Sequence, residues 1–428
     1  MQNWQKIPSA FLLASAVFLA VGAAAVSAAE NVPMAGDPTG VEALPEAATP
    51  QIEDAISDAE LQDLQTIASQ SGMPLQAAID RYAWNDNFAI AVARFREAFP
   101  DAFAGAEIVD ASRAWIAFAA EAPEASWEII DAFRSSHESI SIDVRTELGF
   151  TESELQKAIE GVHFAVFAMS EVHDALTSYD YATGQITTIV VMESTVAGSD
   201  PDDLRAVAME ALTDQGLAGI LDGITVSVVL SDRSIIGGSE SNTEHLGGEL
   251  VNGGISCTSG FGTKTSTGVR GISTAGHCSN PLTDDGASLT YKAGYEGTHG
   301  DFQWHTGPQA EGDDFYSGAA AVTEANRRDV SSVGSPVVDQ SLCRNGRTSH
   351  KDCQDVRKVN VCHSVYCNLV QMDAHLSADG DSGGPVYFGN TAYGIHQGYH
   401  YDIWPFDREL FSRADRIDNA LNLTIATS

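Results

Sequence analysis

Positive charge is what this chain has least of: 23 Lys and Arg stand against 59 Asp and Glu, a formal net charge of -36 over 428 residues. So acidic a chain is repelled by phosphate at long range, which excludes general attraction to nucleic acid or anionic lipid. Cysteine is absent from the first 256 residues. Long apolar runs are absent too, except one near the start. That run, FLLASAVFLAVGAAAV, follows Lys6 and ends in the small residues Ser27, Ala28 and Ala29. This is the make-up of a secretory signal over residues 1–29 rather than of a retained anchor. Export lets the six cysteines be read as disulfides instead of thiols or metal ligands.

The length predicts two folded units with short appendages. Residues 1–246 hold 10 Lys and Arg against 38 Asp and Glu, and residues 247–428 hold 13 against 21, so the two parts carry -28 and -8. All six cysteines lie in the second part, and we place a domain boundary near residue 247. Residues 30–50, rich in Ala, Pro and Gly, predict a flexible leader. Ser57 with Glu60 makes a capping box before a helical pattern that closes at Gly72, and Thr151 with Glu154 repeats the device before LQKAIEGVHFAVFAM. QITTIVVME (185–193) and GITVSVVL (223–230) predict strands, with a helix opening at Asp200-Pro201 between them. Residues 51–230 are thus expected to form an acidic α/β or α+β unit. The polar, Gly-rich stretch 231–253 predicts an exposed linker open to processing. From 254 to 428 short β-type runs alternate with Gly, Asn and Asp turns, with one terminal helix expected in RELFSRADRIDNALNL.

Three segments of this second part carry chemistry. GDSGGP (380–385) places Ser382 among glycines, where backbone can approach a carbonyl without side-chain obstruction. STAGHC (273–278) puts His277 beside a cysteine able to anchor its loop, and a general base must be held rigidly. A serine hydroxyl is a poor nucleophile near neutral pH, so His277 would take its proton, and the imidazole needs an orienting carboxylate. Asp301 in HGDFQWH is the candidate, between apolar-leaning strand residues; Asp313 and Asp314 in GDDF are the alternatives. His299 and His305 flank Asp301 but lack the accompanying ligand pattern of a metal site. Gly380 to Gly384 also fits G-x-S-x-G, yet the β-type surroundings and the order His, Asp, Ser disagree with an α/β-hydrolase esterase.

TAGHC, the Asp301 segment, GDSGGP and CRNGRTSHKDC upstream of the serine together resemble the bacterial alpha-lytic endopeptidase and streptogrisin group of chymotrypsin-like serine proteases. The resemblance covers about residues 254–428. It implies an all-β domain of two antiparallel six-stranded barrels, a triad of His277, Asp301 and Ser382 in the cleft between them, and an amino-terminal pro-region needed for folding and inhibitory until removed. It further implies an oxyanion hole from the amides of Gly380 and Ser382, and a structural Asp381 held by Arg344. That partner competes with a trypsin-type reading in which SIIGG (234–238) supplies a new amino terminus to the same aspartate. The resemblance pairs Cys257 with Cys278 and Cys343 with Cys353, and leaves Cys362 and Cys367 to close a short loop.

The pocket for the residue before the cleaved bond is expected between HLSAD (375–379) and YGIHQGY (393–399), which makes Leu376, Ser377, Asp379, His396 and Gly398 the candidate substrate-binding residues. Leu376 stands where trypsin-like enzymes keep a pocket aspartate, so a strong preference for Lys or Arg is not expected. GIHQG resembles the stretch in glutamyl endopeptidases where a histidine meets the substrate carboxylate, whereas Asp379 at the rim would repel one. The linker glutamates Glu240, Glu244 and Glu249 would suit self-processing by an acid-preferring enzyme. The expected product is a secreted peptidase acting on peptides or proteins, needing no cofactor or metal, bound first by its own pro-region, free of nucleic acid and membrane, and monomeric when mature. The rival is an inactive protease-fold binding or adhesion protein.

Overall fold

Ser57 and Glu60 open the first helix as the sequence predicts. In the computed structural model Ser57 caps helix Asp58–Ser71, Glu60 returns the bond to the Ser57 amide, and Gly72 ends the helix at φ 70°. The structure describes residues 56–192, 200–217, 219–220, 224–231, 250–251, 253, 256–284, 287–308, 312–318, 326–401 and 407–428. The expected signal and leader, most of the linker with Glu240, Glu244 and Glu249, and the SIIGG segment lie outside the described residues. No helix among the described residues is long and apolar enough to cross a membrane.

The acidic half builds two α/β layers. Helices Leu75–Tyr82 and Asn85–Ala98 lead into a sheet of Phe103–Asp110, Arg113–Phe118 and Ser141–Arg145, the last pair parallel and bridged by helix Ser126–Ser136. Helix Glu152–Phe167 starts at the Thr151–Glu154 capping box. The hairpin Val172–Asp180/Gln185–Met192 follows, then helix Pro201–Asp214 capped by Asp200, then Thr225–Ser231 parallel to the second hairpin strand.

The second half is mostly β. One sheet orders Thr290–Gly297, Gly300–Thr306, Arg270–Thr274, Gly262–Thr265 and Leu423–Ile425, five strands among the described residues. In the other, Ser341–Gly346, Pro385–Phe388, Thr391–Tyr401, Asp407–Arg413, Tyr366–Met372 and His350–His363 pair in turn, and the last pairs back to the first. The expected terminal helix is corrected here. Asp407–Arg413 is a strand, Ala414–Arg416 a 3₁₀ turn, and only Ile417–Leu421 is α-helical. Between two partner strands both faces of RELFSR are covered, from Glu409 at 1% exposure to Arg413 at 0%, and tertiary pairing overrides its helical propensity. The cysteines pair as 257–278, 343–353 and 362–367.

The boundary near residue 247 divides composition but not compactness, since residues Ile52–Ser428 form one unit. Cys362 pairs with Thr177 and His363 with Leu176, so the hydrogen-bond ladder of the second half runs on through the acidic half to Thr225–Ser231. Charge joins the two halves as well. Asp63, fully buried on the first helix, accepts from Arg328 Nη1 at 2.8 Å and Nη2 at 3.0 Å, from Lys351 Nζ at 2.5 Å and from the Gly389 amide at 2.7 Å.

Asp63→Ala leaves Arg328 and Lys351 buried without their counter-charge. The expected outcome is a loss of about 3–5 kcal/mol in the urea unfolding free energy of the full-length chain carrying Ser382→Ala to keep its halves joined. A loss under about 1 kcal/mol would mean that this ion pair does not anchor the acidic half.

Candidate active site

His277 follows strand Arg270–Thr274 in a turn tied by the Cys257–Cys278 disulfide. Gln303, on the paired strand Gly300–Thr306, steadies that turn by donating through Nε2 to the carbonyls of Gly276 and Cys278, the latter at 2.6 Å. Gly276 must be glycine, because a Cβ there would meet Asp301 Oδ1 at 2.5 Å and the Tyr295 carbonyl at 2.9 Å. The absent side chain lets Asp301 reach the histidine twice. Its Oδ1 accepts the His277 amide at 3.0 Å and its Oδ2 faces His277 Nδ1 at 2.5 Å. Asp301 is completely buried, and its own amide donates to Ser412 Oγ of the other sheet at 2.9 Å. Burial alone would lower the His277 pKa. The Asp301 charge and hydrogen bond outweigh it, with a smaller contribution from Glu296, and the imidazole is raised above its ordinary 6.5.

Ser382 lies in a turn shaped by Gly380, whose φ of 99° is left-handed backbone. Thr258, on the short strand Cys257–Thr258, holds this turn: its hydroxyl donates to the Gly380 carbonyl at 2.6 Å and its amide to the Ser382 carbonyl at 2.7 Å. The Asp381, Gly383 and Gly384 amides bond to Ala378, His396 and Asp381 carbonyls, but among the described residues those of Gly380 and Ser382 have no acceptor in the chain. Ser382 Oγ donates to the Gln397 carbonyl at 3.1 Å, and among the described residues it makes no hydrogen bond to His277.

Behind the turn, Arg344 Nη1 donates to Asp381 Oδ2 at 3.0 Å. Two further carboxylates that sequence reading missed share this buried guanidinium: Glu409, which accepts from Nε at 3.2 Å, and Asp352, which accepts from Nη2. Asp313 and Asp314, the alternative triad carboxylates, face Arg270 and Arg327 instead.

His277 and Ser382 open onto one cavity of about 450 Å³. Ser377, Asp379, His396 and Gly398 line it, while Leu376 does not and is 49% exposed. His396 is 2% exposed, and burial followed by the nearby Arg344 charge pulls its pKa down to about 4, leaving a neutral imidazole at ordinary pH. Sequence reading also missed the contribution of the acidic half. His173 and Asp174 line the cavity opposite, and Asp174 Oδ2 lies 3.2 Å from His363 Nε2. No signal short of the strand pairing could have placed them there. The one His/Cys/Asp/Glu cluster compact enough for a metal among the described residues is Cys257, His277 and Cys278, but its two sulfurs are joined to each other, so it offers no thiolate.

No protein-family model matches the chain. It is 33% identical over 166 residues to glutamyl endopeptidase 2 of Streptomyces griseus, covering 36% of this chain and 83% of that protein. It is 32% identical over 170 residues to serine protease 1 of Streptomyces fradiae, covering 36% of this chain and 45% of that one. Among solved structures, a glutamic-acid-specific serine protease described as using a histidine triad in substrate binding aligns at 23% identity with a TM-score of 0.35, over 42% of this chain and 100% of its own. On the likeness to the Streptomyces griseus enzyme, which spans most of that protein, the chain belongs to the chymotrypsin-like serine proteases of the streptogrisin group and is a serine endopeptidase.

Proposed function

We propose that the chain is the precursor of a secreted endopeptidase in which Ser382 is the nucleophile, His277 the general base and Asp301 the carboxylate that orients it. The observation that carries this reading is the double contact of a fully buried Asp301 with His277, in one cavity with Ser382. Attack requires the Ser382 hydroxyl to turn from the Gln397 carbonyl to His277 Nε2; such bonds commonly tighten only when substrate is bound. Ser382 Oγ then bonds to the peptide carbonyl carbon as its proton passes to Nε2, and the carbonyl oxygen takes the negative charge. The uncommitted amides of Gly380 and Ser382 are the donors available to that oxyanion. His277 returns the proton to the leaving amine, and water repeats the cycle on the acyl-enzyme.

Residues 51–230 act in this reading as the pro-region, with 1–29 as signal and 231–253 as the processing linker. Support comes from His173 and Asp174, which wall the cavity that holds Ser382, so that removal of the acidic half would open it. A preference for acidic residues before the cleaved bond is supported by His396 lining the cavity and by the glutamyl endopeptidase among the relatives. Asp379, on the same cavity, opposes it.

Ser382→Ala is expected to abolish cleavage of a mixed peptide library, reaction with a fluorophosphonate, and conversion of the precursor when no other protease is present. Normal maturation of that variant would remove self-processing, and an unreactive native serine would favour the inactive binding protein. Asp301→Asn removes the two largest of the influences that raise His277, so the acid limb of kcat/KM should move to lower pH while the rate falls roughly 10⁴-fold. An unmoved limb would assign the titration to another group. If His396 reads an acidic side chain by charge, the neutral imidazole must take up a proton as the substrate carboxylate binds. KM for a peptide with Glu before the cleaved bond should then rise with pH, and KM for one with Ala should not; parallel profiles would discard that role.

A further inference from the structure

The pocket wall from His375 to Asp379 belongs to no strand. Three successive amides of it are taken up by carboxylate oxygens instead. The Leu376 amide donates to Glu409 Oε1 at 2.6 Å, the Ser377 amide to the same oxygen, and the Ala378 amide to Asp381 Oδ2 at 2.8 Å. Both carboxylates converge on Arg344, Glu409 through its other oxygen. Glu409 is 1% exposed, and its strand position pairs with Tyr399 in the facing wall, so its backbone is paired with one wall while its carboxylate holds the other. Ser377, whose amide it holds, lines the cavity at 9% exposure, and its Oγ has no partner among the described residues. A buried hydroxyl left unpaired beside a cavity is a donor and acceptor waiting for a ligand.

We infer that Glu409 is the specificity-positioning residue of the pocket: it fixes the wall at 376–378 and aims the Ser377 hydroxyl at a polar, hydrogen-bonding side chain on the residue before the cleaved bond. This rests on the peptidase reading above. Glutamine cannot replace Glu409. Its oxygen can accept the two amides, but its NH₂ then meets Arg344 Nε–H, donor against donor.

The test compares two peptides that differ only in Gln or Ala before the cleaved bond, alongside labelling by a small fluorophosphonate that leaves the pocket empty. Glu409→Gln is expected to raise KM for the Gln peptide about tenfold, while kcat and the labelling rate stay within about threefold. Asp352→Asn, which shares Arg344 but accepts no amide of this wall, should move that KM less than about threefold. An unchanged KM in Glu409→Gln overturns the inference. So does an equal fall in labelling, which would place the effect at the catalytic centre, or an equal KM rise in Asp352→Asn, which would place it on Arg344. Ser377→Ala serves if Glu409→Gln does not fold: it removes the hydroxyl without touching the clamp, and loss of the Gln peptide's advantage over Ala is expected, its persistence overturning the inference. A native enzyme inert to the fluorophosphonate removes the peptidase reading and this inference together, whereas one that labels and cuts with an insensitive KM removes this inference alone.

Discussion

The buried guanidinium of Arg344 is the constraint on which the site depends. Taking a cation out of water costs several kcal/mol unless charge and hydrogen bonds are restored around it. Here Asp381, Glu409 and Asp352 restore them. Burial pushes Asp381 and Glu409 up, and Arg344 together with the hydrogen bonds they accept more than offsets it, so both lie below the usual carboxylate range; Asp352 is left at about 6 by its burial. Each carboxylate that stays charged then has oxygen lone pairs to spare, and these accept amides of the loop ahead of Ser382. A loop without a strand partner is thereby given a definite place, and the placement reaches from the ion pair to the serine turn and the pocket wall.

The same economy of charge explains how a half carrying -28 lies against a half carrying -8. Beside the apolar core that the halves share, the charged contacts between them are made at particular acids. Asp63 is spent on Arg328 and Lys351. Asp86 is buried against Tyr393 and Thr391, and burial pushes it up to about 7, so near neutral pH a proton relieves about half of its negative charge. Between these points the halves are continuous in backbone hydrogen bonding at Cys362 and His363, in a hairpin whose tip the Cys362–Cys367 disulfide closes. The edge that would otherwise be an unpaired strand is covered by the acidic half.

Much of the site was legible in local sequence because its chemistry is local. The glycines about Ser382, the cysteine beside His277 and the shielded surroundings of Asp301 are features of a few adjacent residues each. Helix starts at Ser57 and Thr151 were legible for the same reason, since a capping box closes within four residues. Glu409 was not legible. It lies in RELFSR, where strand alternation is hidden because both faces are buried, and its partners Arg344 and Leu376 are 65 and 33 residues away.

By itself the sequence determined the chemical types at the site: a serine in a glycine turn, a histidine by a cysteine, a carboxylate in a strand, and Leu376 where a Lys- or Arg-preferring pocket would keep an aspartate. Tertiary structure alone decided three other things. It turned Ser377 rather than Leu376 into the cavity, it gathered three carboxylates on one guanidinium, and it brought His173 and Asp174 of the acidic half to face Ser382. The physical reason is that hydrogen-bond capacity and charge belong to residues, whereas burial and partners belong to pairs of segments that only strand pairing brings together.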